Sequence, residues 1–151
     1  MQAVEVVAPY QLQVIEKPVP EADADQVRIR VHWAGVCGTD YSLIGGKLTF
    51  ARYPIVPGHE FSGRISAVGA GAPFVVGQPV TINPILSCRL CAACLRGEIH
   101  HCEQTAVLGV AGVPGGFAEE VVVPAYTVRA LPDDLPLDAG AMTEPVAVAV
   151  R

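Results

Sequence analysis

The chain has 151 residues, 51% of them hydrophobic and 17% charged, with a net charge of −5 at pH 7, which is enough to bury the core of one compact domain. Ten Lys and Arg stand against fifteen Asp and Glu, without a basic cluster, so neither nucleic acid nor an anionic membrane is expected as a partner. No apolar run approaches the roughly 20 residues of a membrane-spanning helix.

Fifteen glycines and thirteen prolines favour many short strands and turns over long helices. In chain order, residues 2–7 and 11–16 read as a hairpin turning at Ala8-Pro9-Tyr10. Residues 26–34 alternate, with Val27, Ile29, Val31 and Trp33 on one side and Arg28, Arg30 and His32 on the other, the pattern of a half-buried strand. Thr39 or Asp40 stands where it can cap a short helix ending at Gly45-Gly46. Pro54 and Pro57 make residues 53–58 an extended approach to His59. Residues 60–68 form a strand closed by Gly69-Ala70-Gly71-Ala72-Pro73, and residues 79–82 a shorter one. Residues 84–103 have little periodicity. Gly115-Gly116 then turns into a β-rich stretch, 117–123, followed by a strand at 126–131. Helical signal begins only at Asp138 and is interrupted at Pro145, leaving residues 146–150 as an apolar end. Such a succession predicts a barrel-like, mainly β domain over residues 1–151.

No strand–helix–strand unit is visible. Gly69-Ala70-Gly71 lacks a third glycine, and Pro73 stands where a helix should begin. The glycine-rich residues 109–116 lead into a strand. Both stretches read as turns and not as phosphate cradles.

Cys88, Cys91, Cys94 and Cys102 read C-x2-C-x2-C-x7-C. Four thiols at this spacing suit one tetrahedral zinc with no open position, and metal would replace the core that residues 84–103 lack. Two disulfides are the first alternative. Residues 1–10 show neither a basic n-region nor a long apolar h-region, so a cytoplasmic, reducing location is expected and the metal reading gains. An iron–sulfur cluster is the second, but in ferredoxin runs the last cysteine comes after three residues and precedes proline, whereas Cys102 comes after seven and precedes Glu103. His100 and His101 adjoin Cys102, but four cysteines already fill the shell. The fifth cysteine, Cys37, lies in Val36-Cys37-Gly38-Thr39-Asp40, and Gly58-His59-Glu60 comes after it. A thiolate, an imidazole and a carboxylate from Glu60 or Glu144 make the three-ligand, open set of a catalytic zinc.

Together these motifs resemble the N-terminal catalytic domain of zinc-dependent medium-chain alcohol and polyol dehydrogenases. The resemblance runs over residues 2–151 and includes Gly58-His59-Glu60-Phe61-Ser62-Gly63, Gly115-Gly116-Phe117-Ala118-Glu119 and Thr143-Glu144-Pro145. The Glu144-Pro145 pair is similar to the sorbitol and galactitol-phosphate branch. The resemblance implies a GroES-like, partly open β-barrel with short helices and a four-cysteine zinc lobe at 84–103. It implies two zinc ions per chain: a structural one on Cys88, Cys91, Cys94 and Cys102, and a catalytic one on Cys37, His59 and Glu60 or Glu144. Thr39 would hydrogen-bond the alcohol and pass its proton on, and Asp40 would orient His59. NAD or NADP would serve only the complete enzyme, whose Rossmann domain is absent from residues 1–151, so this chain alone is expected to be inactive. The substrate would be a small alcohol or polyol. Homo-oligomers could form through the apolar C-terminal tail, unless that tail is poorly ordered.

Two departures stand out. Gly77-Gln78-Pro79-Val80 replaces the common Gly-Asp-Arg-Val, and Ser42 replaces the relay histidine of many ethanol-type relatives. A non-enzymatic zinc-stabilised binding or assembly module is the competing reading, against which the intact open ligand set argues.

Overall fold

The computed structural model describes residues 1–150. Strands β1 (Gln2–Ala8), β2 (Gln11–Glu16) and β3 (Gln26–Ala34) precede helix α1 (Gly38–Ile44). Then come β4 (Phe61–Val68), β5 (Pro79–Ile82), β6 (Ile85–Leu86), α2 (Ala92–Leu95), β7 (Ala106–Val107), β8 (Glu120–Pro124) and β9 (Val128–Ala130). The described chain closes with α3 (Leu137–Ala141) and α4 (Thr143–Ala149). No helix among the described residues is long and apolar enough to cross a membrane.

The central sheet is antiparallel throughout, in the order β8-β3-β4-β5-β9. Its inner face is apolar because the alternating residues of β3, β4, β5 and β8 point the same way: Val27, Ile29, Phe61, Ile65, Val80, Val121 and Val123 form one buried cluster. The alternation expected of residues 26–34 holds for Val27 and Ile29 but fails at Trp33, which is 57% exposed. The register with β4 slips between Val31 and Trp33, and the extra residue of such a bulge turns the end of the strand out of the core.

The β1–β2 hairpin is tied to the rest by bridges from Ala3 to Ala118 and from Val6 to Ile55. Val6, Leu43 and Ile55 form a second buried cluster there, which fixes α1 against the extended approach to His59.

Three further sequence expectations are revised. The strand expected at 117–123 begins at Glu120, because residues 117–119 bond to three separate segments: Phe117 N donates to Pro57 O, Phe117 O accepts from Val4 N, and Glu119 O accepts from Val31 N. The strand expected at 126–131 shortens to β9 and is preceded by a 3-10 turn, Ala125–Thr127, which Thr127 Oγ1 closes by donating to Pro124 O. Pro145 does not interrupt a helix. The break falls at Met142, and Pro145 is the third residue of α4, where a missing N–H costs nothing because first-turn donors have no intrahelical partner. The apolar end is therefore helical. It is anchored through α3, where Ser62 Oγ donates to Leu137 O and Gly140 lies against Leu131 and Ser62.

One crossing positions the site. Gly58 takes φ +99° immediately before His59, and the returning loop passes over it backbone to backbone: Gly115 N donates to Val56 O, and Gly116 N to Gly58 O. A Cβ on Gly115 would sit 2.1 Å from Gly58 O and 2.6 Å from Pro57 O. Neither oxygen can move without moving His59. Gly115→Ala is therefore expected to cost about 3 kcal/mol, or roughly 6–10 °C in melting temperature. Gly38→Ala, whose Cβ would meet nothing within 4 Å, should leave the melting temperature nearly unchanged. Equal thermal shifts for the two variants would contradict the crossing.

Candidate metal centres and their cavity

The first centre is a lobe without a core of its own. The two-stranded β6–β7 pair closes its base, with Ile85 opposite Val107 and Leu86 opposite Ala106. Tyr126 OH accepts from Ser87 N at 3.0 Å and bonds Ser87 O at 3.1 Å. Beyond that base the lobe's large apolar side chains point outward: Leu90 is 80% and Leu95 75% exposed. At its centre the sulfurs of Cys88, Cys91, Cys94 and Cys102 all lie within 4.8 Å of one another, and none is in a disulfide. Backbone N–H groups aim at them, from Cys91 to Cys88 Sγ at 3.3 Å, from Cys88 to Cys102 Sγ at 3.2 Å and from Gln104 to Cys102 Sγ at 3.3 Å. Such donors favour thiolates. The Cys91 thiol falls to about 6, foremost through the backbone at Cys94 and Glu103. Cys102 is also lowered, foremost through the backbone N–H of Cys88. Cys94 is pushed up to about 12 by loss of solvent and by its neighbouring sulfurs, because like groups this close compete to ionise. Convergent sulfurs, aimed donors and an absent core all fit a tetrathiolate metal. His100 and His101 stand outside the cluster, their rings 4.2 Å apart on a 3-10 turn.

The second centre is built on the central sheet. Cys37 is the N-cap of α1, a place the sequence suggested for Thr39 or Asp40. Asp40, in the helix's first turn, instead reaches back so that its Oδ2 accepts from Cys37 N at 2.9 Å. His59 and Glu60 lie between the Gly58 crossing and the start of β4. One ligand atom from each of Cys37, His59 and Glu60 falls within 4.8 Å of the others.

Behind them, Asp40 is 1% exposed and its Oδ1 lies 3.7 Å from His59 Nδ1. Neither atom has a hydrogen-bond partner. A buried carboxylate facing one imidazole nitrogen is the arrangement that orients a metal-binding histidine and leaves Nε2 for the ion. The residues present thus fit a metal, and the unpartnered pair is what a cation on Nε2 would complete. Gly35, which sequence reasoning passed over, belongs here too. Its N–H donates to Glu60 O at 2.7 Å, and a Cβ on it would come within 2.6 Å of Glu60 Oε2. Its only signal was its place two residues before Cys37.

His59 opens onto a cavity of about 780 Å3 whose walls include Thr39, Phe50, Arg52, Val110 and Glu144, a size suited to a small organic ligand. Glu144, on the first turn of α4, is not among the three clustered ligands but shares this wall with His59. Burial, and then the Glu60 charge, raise its carboxyl above the ordinary range, while His59 opposes them. The structure thus brings Cys37, His59, Glu60, Asp40 and Thr39 to one place, with Glu144 at its edge.

Residues 23–133 match the family described as alcohol dehydrogenase GroES-like domain. Galactitol 1-phosphate 5-dehydrogenase of Escherichia coli K12 is 40% identical over 142 residues, covering 93% of this chain and 40% of that protein. The crystal structure of galactitol-1-phosphate dehydrogenase from Escherichia coli superposes with a TM-score of 0.94 at 38% identity, over 99% of this chain and 43% of that one. A structure titled short chain alcohol dehydrogenase (rspB) from Escherichia coli CFT073, complexed with NADH, gives 0.93 at 38% identity, over 99% and 44%. The chain thus spans about two-fifths of the length of the curated relatives it matches. The match over residues 23–133 and the superposition over 99% of the chain show that it belongs to the alcohol dehydrogenase GroES-like domain family.

Proposed function

We propose that this chain is the zinc-bearing catalytic part of an NAD- or NADP-dependent polyol or secondary-alcohol dehydrogenase, with two zinc ions per chain. The observation that carries the reading is the second cluster. Cys37, His59 and Glu60 converge where His59 meets a cavity, with a buried, unpartnered Asp40 behind His59, apart from the four-thiol set.

Zinc held by Cys37, His59 and Glu60 would supply Lewis acidity toward a substrate hydroxyl, and a nicotinamide would supply the hydride acceptor. The protein's own residues do the rest. Asp40 faces the His59 Nδ1 side from 3.7 Å, placed to favour a proton on that nitrogen and leave Nε2 for the ion. Gly35 leaves room for the Glu60 carboxylate. Thr39 lines the cavity, where its hydroxyl can accept the substrate's hydroxyl proton and release its own to the open side. Glu144 adds negative charge at the wall. The named strands among the described residues all pair antiparallel, without the parallel strand–helix–strand unit that holds a dinucleotide, so in this reading the dinucleotide would be held by residues outside these 151. The relative's NADH complex supports a nicotinamide partner. Self-association belongs to the same reading and rests on α4, where Val146 and Val148 stand exposed.

Metal analysis tests the reading. The purified chain should hold two equivalents of zinc, and mild chelation should remove one, because an open site exchanges faster than a tetrathiolate. Cobalt refilled into the emptied site should change its visible spectrum when imidazole is added. Iron, a single metal, or a cobalt spectrum indifferent to imidazole would overturn it.

A further inference from the structure

Gly35 lies between the end of β3 and Cys37, where the backbone does not call for a glycine. The described glycines in the left-handed region are Gly46, Gly58, Gly77, Gly97, Gly109 and Gly112, so an alanine could follow the same path at Gly35. The Gly35 amide donates to Glu60 O at 2.7 Å, one residue beyond the pairing of Ala34 with Phe61, and alanine would keep that bond. It could not keep the space. A Cβ at Gly35 would sit 2.6 Å from Glu60 Oε2, 3.3 Å from Glu60 Cβ and 3.6 Å from Glu60 Cδ, all atoms of one side chain. At Gly63, Gly69, Gly109 and Gly115 the nearest obstacle to a Cβ is backbone. At Gly35 it is the free end of a flexible side chain, which can rotate away without disturbing the fold.

The Glu60 carboxylate has little else to fix it. Glu60 is buried, yet among the described residues its carboxylate has neither a hydrogen-bond donor nor a cationic partner, whereas Asp40 accepts from the Cys37 amide at 2.9 Å and faces His59. A buried carboxylate without a partner is costly, and a cation shared with Cys37 and His59 would remove that cost. We propose that Gly35 is a positioning residue of the open metal centre: the space left by its missing side chain is the seat of the Glu60 carboxylate, and Gly35 acts on the metal through Glu60 alone. This rests on the metal-site reading above and deepens it, because steric room, and not a hydrogen bond, then decides where the third ligand stands. Filling the seat displaces a ligand and leaves the sheet as it was.

A double-mutant cycle tests it, with affinity at the labile site read by competition with a coloured chelator and coordination read from the cobalt spectrum. Gly35→Ala should move the melting temperature of the protein stripped of its labile metal by less than about 3 °C. The same variant should hold the labile metal about tenfold to a hundredfold more weakly and shift the visible spectrum of cobalt refilled into that site, while the four-thiol metal stays. In a Glu60→Ala background, adding Gly35→Ala should cost no further affinity, because the side chain through which it acts is gone. Unchanged affinity and spectrum in Gly35→Ala would overturn the proposal. So would losses that simply add in the double variant, or a melting temperature lowered as far as in Gly115→Ala. The imidazole response of the cobalt-refilled wild-type protein separates the two levels. If it is present and Gly35→Ala is silent, only this proposal falls; if it is absent, the metal-site reading fails and this proposal falls with it.

Discussion

Cys88→Ser is expected to lower the melting temperature by more than about 10 °C and to release the structure of residues 84–103 as a unit. The physical ground is the lobe's composition. Leu90 and Leu95 face solvent, β6 and β7 are two residues each, and α2 has four, so a bound metal would do most to hold the lobe together. Hydrogen exchange should show amides such as those of Leu95 and Gly97 losing protection together, and metal analysis should show the retained zinc gone. Cys37→Ser should shift the melting temperature far less, because α1 is held by the Val6–Leu43–Ile55 cluster whether or not a metal is present. A lobe that keeps its exchange protection in the Cys88 variant would mean that packing, and not metal, sustains it.

Glu60→Ala should weaken the labile metal by at least tenfold to a hundredfold, on the order of what even changes behind the direct ligands cost a metal site, whereas Glu144→Ala should change it little. Glu60 presents a carboxylate within the same 4.8 Å cluster as Cys37 and His59, and Gly35 is shaped around it. Glu144 reaches the shared wall from α4 without joining that cluster. Competition with a coloured chelator measures both affinities. If only the Glu144 variant loses metal, the ligand assignment reverses and α4 becomes part of the coordination sphere.

The strands at 11–16, 26–34 and 79–82 were readable to the residue, because hydrophobic alternation and turn chemistry agree there. The four-cysteine cluster was readable because ligand spacing in sequence translates almost directly into proximity in a short loop. The grouping of Cys37, His59 and a carboxylate was suggested by donor type and supported by the resemblance, but the choice between Glu60 and Glu144 was left open, since these residues are far apart in sequence and only the fold brings Glu60 into the cluster. Misreadings came where local signals compete with long-range bonds. Trp33 fits the alternation of β3, yet a bulge turns it outward. Pro145 looks like a breaker until Met142 is seen to end α3 just before it. Residues 117–119 look like strand because they are extended, but their backbone groups are shared among three segments. Gly109, Gly115 and Gly116 read as turns, and no local pattern could show that they are also the surface on which Gly58 and Phe61 rest.

That last contact bears on how the protein can change over time. Gly109, Gly115 and Gly116 meet Pro57 and Gly58 through peptide groups, while Val107 at the end of β7 and Val110 and Ala111 of the following loop face the cavity. Because those three side chains take no part in the seam, their positions are free to vary without displacing His59. On the proposed reading, ligand geometry and substrate choice would be written into one segment in separable alphabets, one of glycines and backbone, the other of cavity side chains, so that a new substrate could be acquired by revising the second and leaving the first untouched.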